Sequence, residues 1–220
     1  MKHSLFVLAT VTLSSALYAQ APLTRAQAQA IFAQYNPSLI ERAAQNTNLN
    51  AVLDDLLSAY LQQQPADTLA NRYELIALAR NFDNSLQLNA LEEHYKQAVL
   101  YSALGGDVQE AALAYTQHEM QPVLARMWAV SVQTKEQLLA QYQAQARRDP
   151  QFRAQQAPVL NALQADVKNL TTNVGPQLQT LLQQRLAAVE QQVRAELQAQ
   201  QAAQTPNLQI KTKNKKPVAK

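Results

Sequence analysis

Apolar residues recur along this chain in steps of three and four. Leu88, Leu91, Tyr95, Ala98 and Val99 share one helical face, and Phe152, Val159, Leu163, Val167 and Leu170 share another. A third stripe runs through Leu178, Leu182, Leu186, Val189, Val193 and Leu197. That spacing is what one buried face of an α-helix needs. The residues between are mostly Gln, Ala and Arg. A narrow apolar stripe flanked by Ala lets a helix approach its neighbour closely, as in bundles and coiled coils.

Prolines, glycines and capping residues divide the pattern into elements. Thr24 with Gln27 has the spacing of a capping box, opening a helix that Asn36-Pro37 ends. Ser38 can cap a short helix to about Gln45, and Asn48 the next, to Gln63. Asp67 can cap another, to about Arg80. The polar cluster Asn81-Phe82-Asp83-Asn84-Ser85 predicts a turn, and the following helix stops at Gly105-Gly106. Asp107 with Glu110 is an acidic capping box opening a long helix toward Arg147, which Pro122 should kink or interrupt. Asp149-Pro150 is a cap with proline at the first helical position. That helix is predicted to run to about Asn173, with a bend at Pro158. Gly175-Pro176 predicts a tight turn that folds it against a last helix, to about Gln204, as an antiparallel hairpin.

The predicted fold class is therefore all-α. A cluster of short N-terminal helices precedes long antiparallel helices, as a bundle or helical hairpin, and a disordered basic tail follows. The expected divisions are 1–19, 20–105, 106–204 and 205–220. The first is a secretory leader: Met1-Lys2-His3 is a positive start, an apolar run follows, and Leu17-Tyr18-Ala19 offers cleavage after Ala19. The run is shorter than the roughly 20 residues that span a bilayer. The expected location is thus the periplasm or cell envelope, or outside the cell, with no transmembrane segment in the mature chain.

Composition sharpens this picture. Ala, Gln and Leu form nearly half of the 220 residues, with three Gly and no Cys. All three abundant residues favour helix. A Rossmann-type cofactor domain would need Gly-rich turns after apolar strands. The lack of Cys excludes disulfides, Cys-ligated zinc, iron–sulfur clusters and Cys nucleophiles. The formal net charge is +3; without Lys2 and the five tail lysines the body carries −3. The basic character thus belongs to Lys211, Lys213, Lys215, Lys216 and Lys220. Such a tail either touches anionic envelope surfaces or simply solubilises the terminus. Nucleic-acid binding is disfavoured, since no helix face is basic.

Leu100-Tyr101-Ser102-Ala103-Leu104-Gly105 ends one helix, and Gln117-His118-Glu119-Met120-Gln121 lies on the next. This resembles a family of secreted bacterial helical domains, uncharacterised in activity. There a helix ends in Phe-Tyr-x-Ser-Pro-x-Gly and the following helix carries a Met. Leu100-Tyr101 stands at the aromatic pair and Ala103 at the proline. The resemblance covers about fifty residues and implies a small helical envelope domain. It implies no activity.

Candidate chemistry is sparse. Glu92 and Glu93 precede His94, but neighbouring positions diverge by about 100° on a helix. His118 follows Glu110 by two turns, and a metal or acid–base site across two helices is the sharper reading of the two histidines. Exposed histidines are the plainer one. No His-Glu-x-x-His pair or nucleophile elbow is present, so no catalytic residue, metal ligand or cofactor site is assigned. Tyr95, Tyr101, Tyr115, Met120, Met127 and Trp128 lie on the helices flanking Gly105. They form either ordinary core or a partner surface, where such residues are enriched. The functional expectation is an exported, non-enzymatic binding or scaffold protein. Its partner is a protein or a second copy, met through the long C-terminal helices. A holdase chaperone is the alternative, and an enzyme using His94 and His118 a third.

Overall fold

The computed structural model describes the backbone of residues 21–63, 65–106 and 110–213, and side chains as far as Ala203. The expected leader, Asp107 of the acidic capping box, and Lys215, Lys216 and Lys220 lie outside the described residues. Seven α-helices follow in order among them: α1 Arg25–Tyr35, α2 Pro37–Gln45, α3 Thr47–Gln62, α4 Leu69–Ala103, α5 Glu110–Arg148, α6 Pro150–Asn169 and α7 Leu178–Lys213. The fold is all-α, as the periodicity requires. No helix among the described residues is long and apolar enough to cross a membrane.

Several helix starts match their signals. Thr24 and Gln27 form the reciprocal capping box of α1. The Asp149 side chain accepts from the backbone N–H of Gln151 and Phe152, with Pro150 opening α6. Other caps lie one or two residues earlier or later than expected. Asn36 rather than Ser38 caps α2, and Asn46 rather than Asn48 caps α3. Thr68 accepts from the Asn71 N–H at the start of α4. Asp67 instead pairs with Arg72, which holds its carboxyl below the usual range.

The turn expected at Asn81–Ser85 is a correction: α4 runs through it without a break. The polar side chains there do not compete with their own backbone, because they are spent on other helices. Asn81 Nδ2 donates to the Met127 carbonyl at 3.2 Å. Asp83 accepts from Asn36 at 3.0 Å and pairs with Arg42. Arg126 donates to Asn84 Oδ1 at 3.3 Å. Likewise α5 continues through Pro122 and α6 through Pro158.

The tight turn at Gly175-Pro176 is a second correction. A π-helical turn, Leu170–Val174, and a 3-10 turn, Gly175–Gln177, lead from α6 into α7. Gly175 has φ −51° and ψ −51°, ordinary helical values. Its lack of a side chain serves packing instead, since a Cβ there would sit 3.3 Å from the Trp128 indole nitrogen. The hydroxyls of Thr171 and Thr172 return to the Val167 and Lys168 carbonyls as the ladder slips. The last helix also extends beyond its expected end near Gln204, to Lys213.

Packing divides the chain into two compact units. One combines the residues up to Leu86 with Leu124–Pro176; the other combines Gln87–Val123 with those from Gln177 onward. This differs from the expected boundary near Gly105, because α4 and α5 each contribute to both units. In the first unit α4 and α5 run antiparallel: Arg80 meets Thr134 and Gln137, while Asn84 meets Arg126. Antiparallel to α5 lies α6, through the Lys135–Asp166 ion pair and the Tyr142–Phe152 ring contact. The N-terminal helices close around Phe32, Leu39, Leu57 and Leu75, with Phe82 edge-on to Phe32 at 6.4 Å.

In the second unit Leu88, Val99, Met120, Val123, Leu182 and Leu186 are buried. There α7 meets α4, with Arg185 on Glu92. Within the first unit α6 meets α5, and within the second α7 meets α4.

Candidate functional site

The best-defined exposed apolar feature of the second unit lies at the C-terminal end of α4 and the first turns of α5. Helix α4 closes with a glycine cap. Gly105 N–H donates to the Ser102 carbonyl and Gly106 N–H to that of Tyr101, at 3.1 and 2.8 Å. Gly105 has φ 81°, a conformation that favours glycine. Gly106 is needed for a different reason. A Cβ on it would fall 2.2 Å from the Tyr101 ring and 2.7 Å from the Tyr101 carbonyl oxygen. The turn therefore lies against the Tyr101 ring, which stays 59% exposed.

Two more large apolar side chains flank this turn. Leu104 is 63% exposed and Tyr115, in the second turn of α5, is 67% exposed. Elsewhere, Val52 and Leu181 are much less so, at 39% and 43%. Tyr and Leu side chains left this open lose the stabilisation that burial would give, roughly 1.5–3 kcal/mol each for a large aliphatic or aromatic group.

Beneath the turn the unit is built from the same residue types, now buried. Tyr95 and Met120 are in its interior. Burial, with the Glu190 charge adding to it, pushes the Tyr95 phenol up. Glu92 is buried as well, and its carboxylate holds two cations. Arg185 Nε donates to it at 2.7 Å from α7, and Lys96 Nζ lies at 3.3 Å from its other oxygen. A carboxylate this enclosed requires such partners.

The six aromatic and Met residues singled out by sequence thus divide. Tyr101 and Tyr115 are exposed at the turn, whereas Tyr95 and Met120 are core of the same unit. Met127 is buried in the first unit, and Trp128, half-buried, lies there against Gly175. Sequence reasoning missed Leu104. The available signal was a large apolar residue directly before Gly-Gly, where no helical face continues to bury it.

His94 and His118 are exposed, His118 with Nδ1 3.7 Å from its neighbour Glu119. Among the described residues no group of three or more His, Cys, Asp or Glu is placed to hold a metal ion. Lys211 and Lys213 fall in the last turn of α7. A concavity of about 490 Å³ lies among α1, α2 and α3, lined by alanines, Phe32, Leu53 and Leu57 together with Gln29, Asn50 and Asp54.

The fold and this site define an all-α protein with an apolar, aromatic helix turn open to solvent. Comparison with models of protein families, with curated proteins and with solved structures finds no match to the chain.

Proposed function

We propose that this chain is an exported, non-enzymatic helical protein that binds a protein partner in the bacterial cell envelope, using the α4–α5 turn of its second unit. The observation that carries this reading is the exposure of Tyr101 and Leu104 at the glycine-capped end of α4 and of Tyr115 in the second turn of α5. Exposed apolar residues scattered singly need no explanation, whereas a group at one location marks a contact surface. Tyr is well suited to that role, since it offers a large apolar face with few rotatable bonds and a hydroxyl that remains hydrated or pairs. Export rests on the N-terminal leader pattern.

Size analysis of native envelope extracts tests the reading. The wild-type protein should migrate above the mass of a single chain, and Tyr101→Ser with Tyr115→Ser should return it to that mass. A wild type that runs as a lone chain, or a variant that runs with it, overturns the proposal.

A holdase role is the second reading, favoured by the alanine-sided concavity among α1, α2 and α3. Its largely apolar, alanine-rich lining suits an extended apolar segment of a client. Suppression of aggregation of an unfolded outer-membrane protein, lost in Ala30→Glu, would distinguish it from the first.

A further inference from the structure

Most cationic side chains of this chain are engaged within the fold. Among the described residues they meet a carboxylate, an amide or a hydroxyl, as Arg25 meets Asp54, Lys135 meets Asp166 and Arg80 meets Thr134. Arg147, Arg148 and Arg153 have no such partner, and neither does Lys168 in the last turn of α6. The arginines stand together at the α5–α6 turn of the first unit.

A single residue, Asp149, separates the two helices there. Arg147 and Arg148 close α5, Arg153 lies in the first turn of α6, and all are exposed. Helix stability accounts for the first two, since a cation suits a helix C-terminus. It does not account for Arg153, because a cation in a first turn opposes the helix dipole. Asp149 does not answer it either: its Oδ1 accepts from the backbone N–H of Gln151 and Phe152. No other acid occurs between Glu136 and Asp166, and Asp166 is held by Lys135. From α4, Leu69 and Tyr73 pack onto the Leu138–Tyr142–Leu163 core of this end, but nearby Asp67 is held by Arg72.

We propose that Arg147, Arg148 and Arg153 form a contact site for an anionic membrane surface, with lipid phosphodiester headgroups as the ligand. A guanidinium matches phosphate oxygens in its planar fork. What surrounds the arginines selects a membrane over other anions. A protein partner calls for an apolar centre to the interface. Here Tyr142 and Phe152 pack on each other, ring centroids 5.8 Å apart. None of the exposed large apolar side chains among the described residues lies on α5 beyond Tyr115 or on α6. A small soluble anion calls for a concave site, and the concavity among α1, α2 and α3 includes none of the arginines. Cations without an apolar anchor suit a charged plane, where attraction follows their number rather than fit. This site is independent of the reading of the α4–α5 turn.

Flotation of the purified full chain with vesicles tests the proposal. Lys211, Lys213, Lys215, Lys216 and Lys220 are first replaced by Gln, so that the tail does not obscure the arginines. That parent should bind phosphatidylcholine vesicles containing about a third phosphatidylglycerol, leave pure phosphatidylcholine vesicles unbound, and detach as salt rises. A cation near such a surface contributes about fivefold in affinity. Arg147→Gln, Arg148→Gln and Arg153→Gln together should therefore weaken binding by about tenfold or more. A triple variant that binds like its parent, or a parent that ignores the anionic vesicles, overturns the proposal. So does release by inorganic phosphate but not by chloride at equal ionic strength, the mark of a soluble-anion site. Arg153→Glu alone separates contact from folding, because an acid suits the start of α6. Its melting temperature should hold or rise while vesicle binding falls; a lower melting temperature with binding unchanged contradicts the assignment.

Discussion

The two units are built from the same few residue types and treat them differently. In the first, polar side chains are drawn inward to tie helices together. Asn36 bridges the start of α2 to the Ala79 carbonyl and Asp83 of α4. Asn81 reaches the Met127 carbonyl of α5, and Arg80 lies over the Tyr35 ring at 5.1 Å. Among its described residues the only large apolar side chain that is exposed is Val52. In the second unit the interior holds aliphatic side chains, Tyr95, Met120 and the Glu92–Arg185 ion pair, and Tyr101, Leu104, Tyr115 and Leu181 face outward. The difference separates two uses of an apolar residue. One unit converts nearly all of them into core; the other keeps a set in water, three of them at the end of α4 and the start of α5.

Substitutions that strike each unit where it is strongest should widen this contrast. The largest effect falls on the first unit. Phe32 is fully buried and meets Phe82 edge-on. Phe32→Ala should cost about 3–5 kcal/mol in urea unfolding through lost transfer energy and the cavity left behind. Next comes the ion cluster of the second unit. Arg185→Ala leaves Glu92 buried with Lys96 alone, and a loss of about 2–3 kcal/mol is expected, below the usual value for a fully buried pair because Lys96 remains. Replacing Glu92 and Arg185 together by Leu should cost less than Arg185→Ala alone, which a double-mutant cycle measures. Gly106→Ala comes third. The Tyr101 ring can swing away from the new methyl, but the Tyr101 carbonyl at 2.7 Å cannot, so about 1 kcal/mol is lost. Tyr fluorescence quenching by a neutral solute should rise as the ring is displaced.

How much of this was readable in the sequence depends on the range of the forces involved. Caps act over three residues, and Thr24 with Gln27, Asp149 with Pro150, and Gly105 were read correctly because donor and acceptor are both local. The stripes were equally legible, since burial of one face needs nothing but spacing: Leu182, Leu186 and Val189 are buried as their period requires. Asn81 to Ser85 failed for the opposite reason. Their local preference is for a turn, but Asn81 and Asp83 find partners 46 and 47 residues away in sequence, which no local rule contains. Gly175 failed likewise: a glycine before proline reads as a turn, while its role is to admit the Trp128 indole.

For the candidate site, sequence supplied Tyr101 and Tyr115 but not their separation from Tyr95 and Met120. All four are large apolar residues on the helices flanking the turn. The face of α4 that meets α7 carries Glu92, whose partner Arg185 is 93 residues away. Leu104 was overlooked because it belongs to no stripe, and that is the reason it is exposed.

The central claim is that the side chains at the α4–α5 turn serve contact with a partner rather than stability of the chain. The most direct test places a photo-crosslinking amino acid at Tyr115 and, as a control, at exposed Glu136 of the first unit, in growing cells. Both positions are on α5, and both substitutions should shift stability by no more than about 0.5 kcal/mol. A discrete adduct is expected from Tyr115 and none from Glu136. No adduct at Tyr115, or the same adducts from both positions, would contradict it.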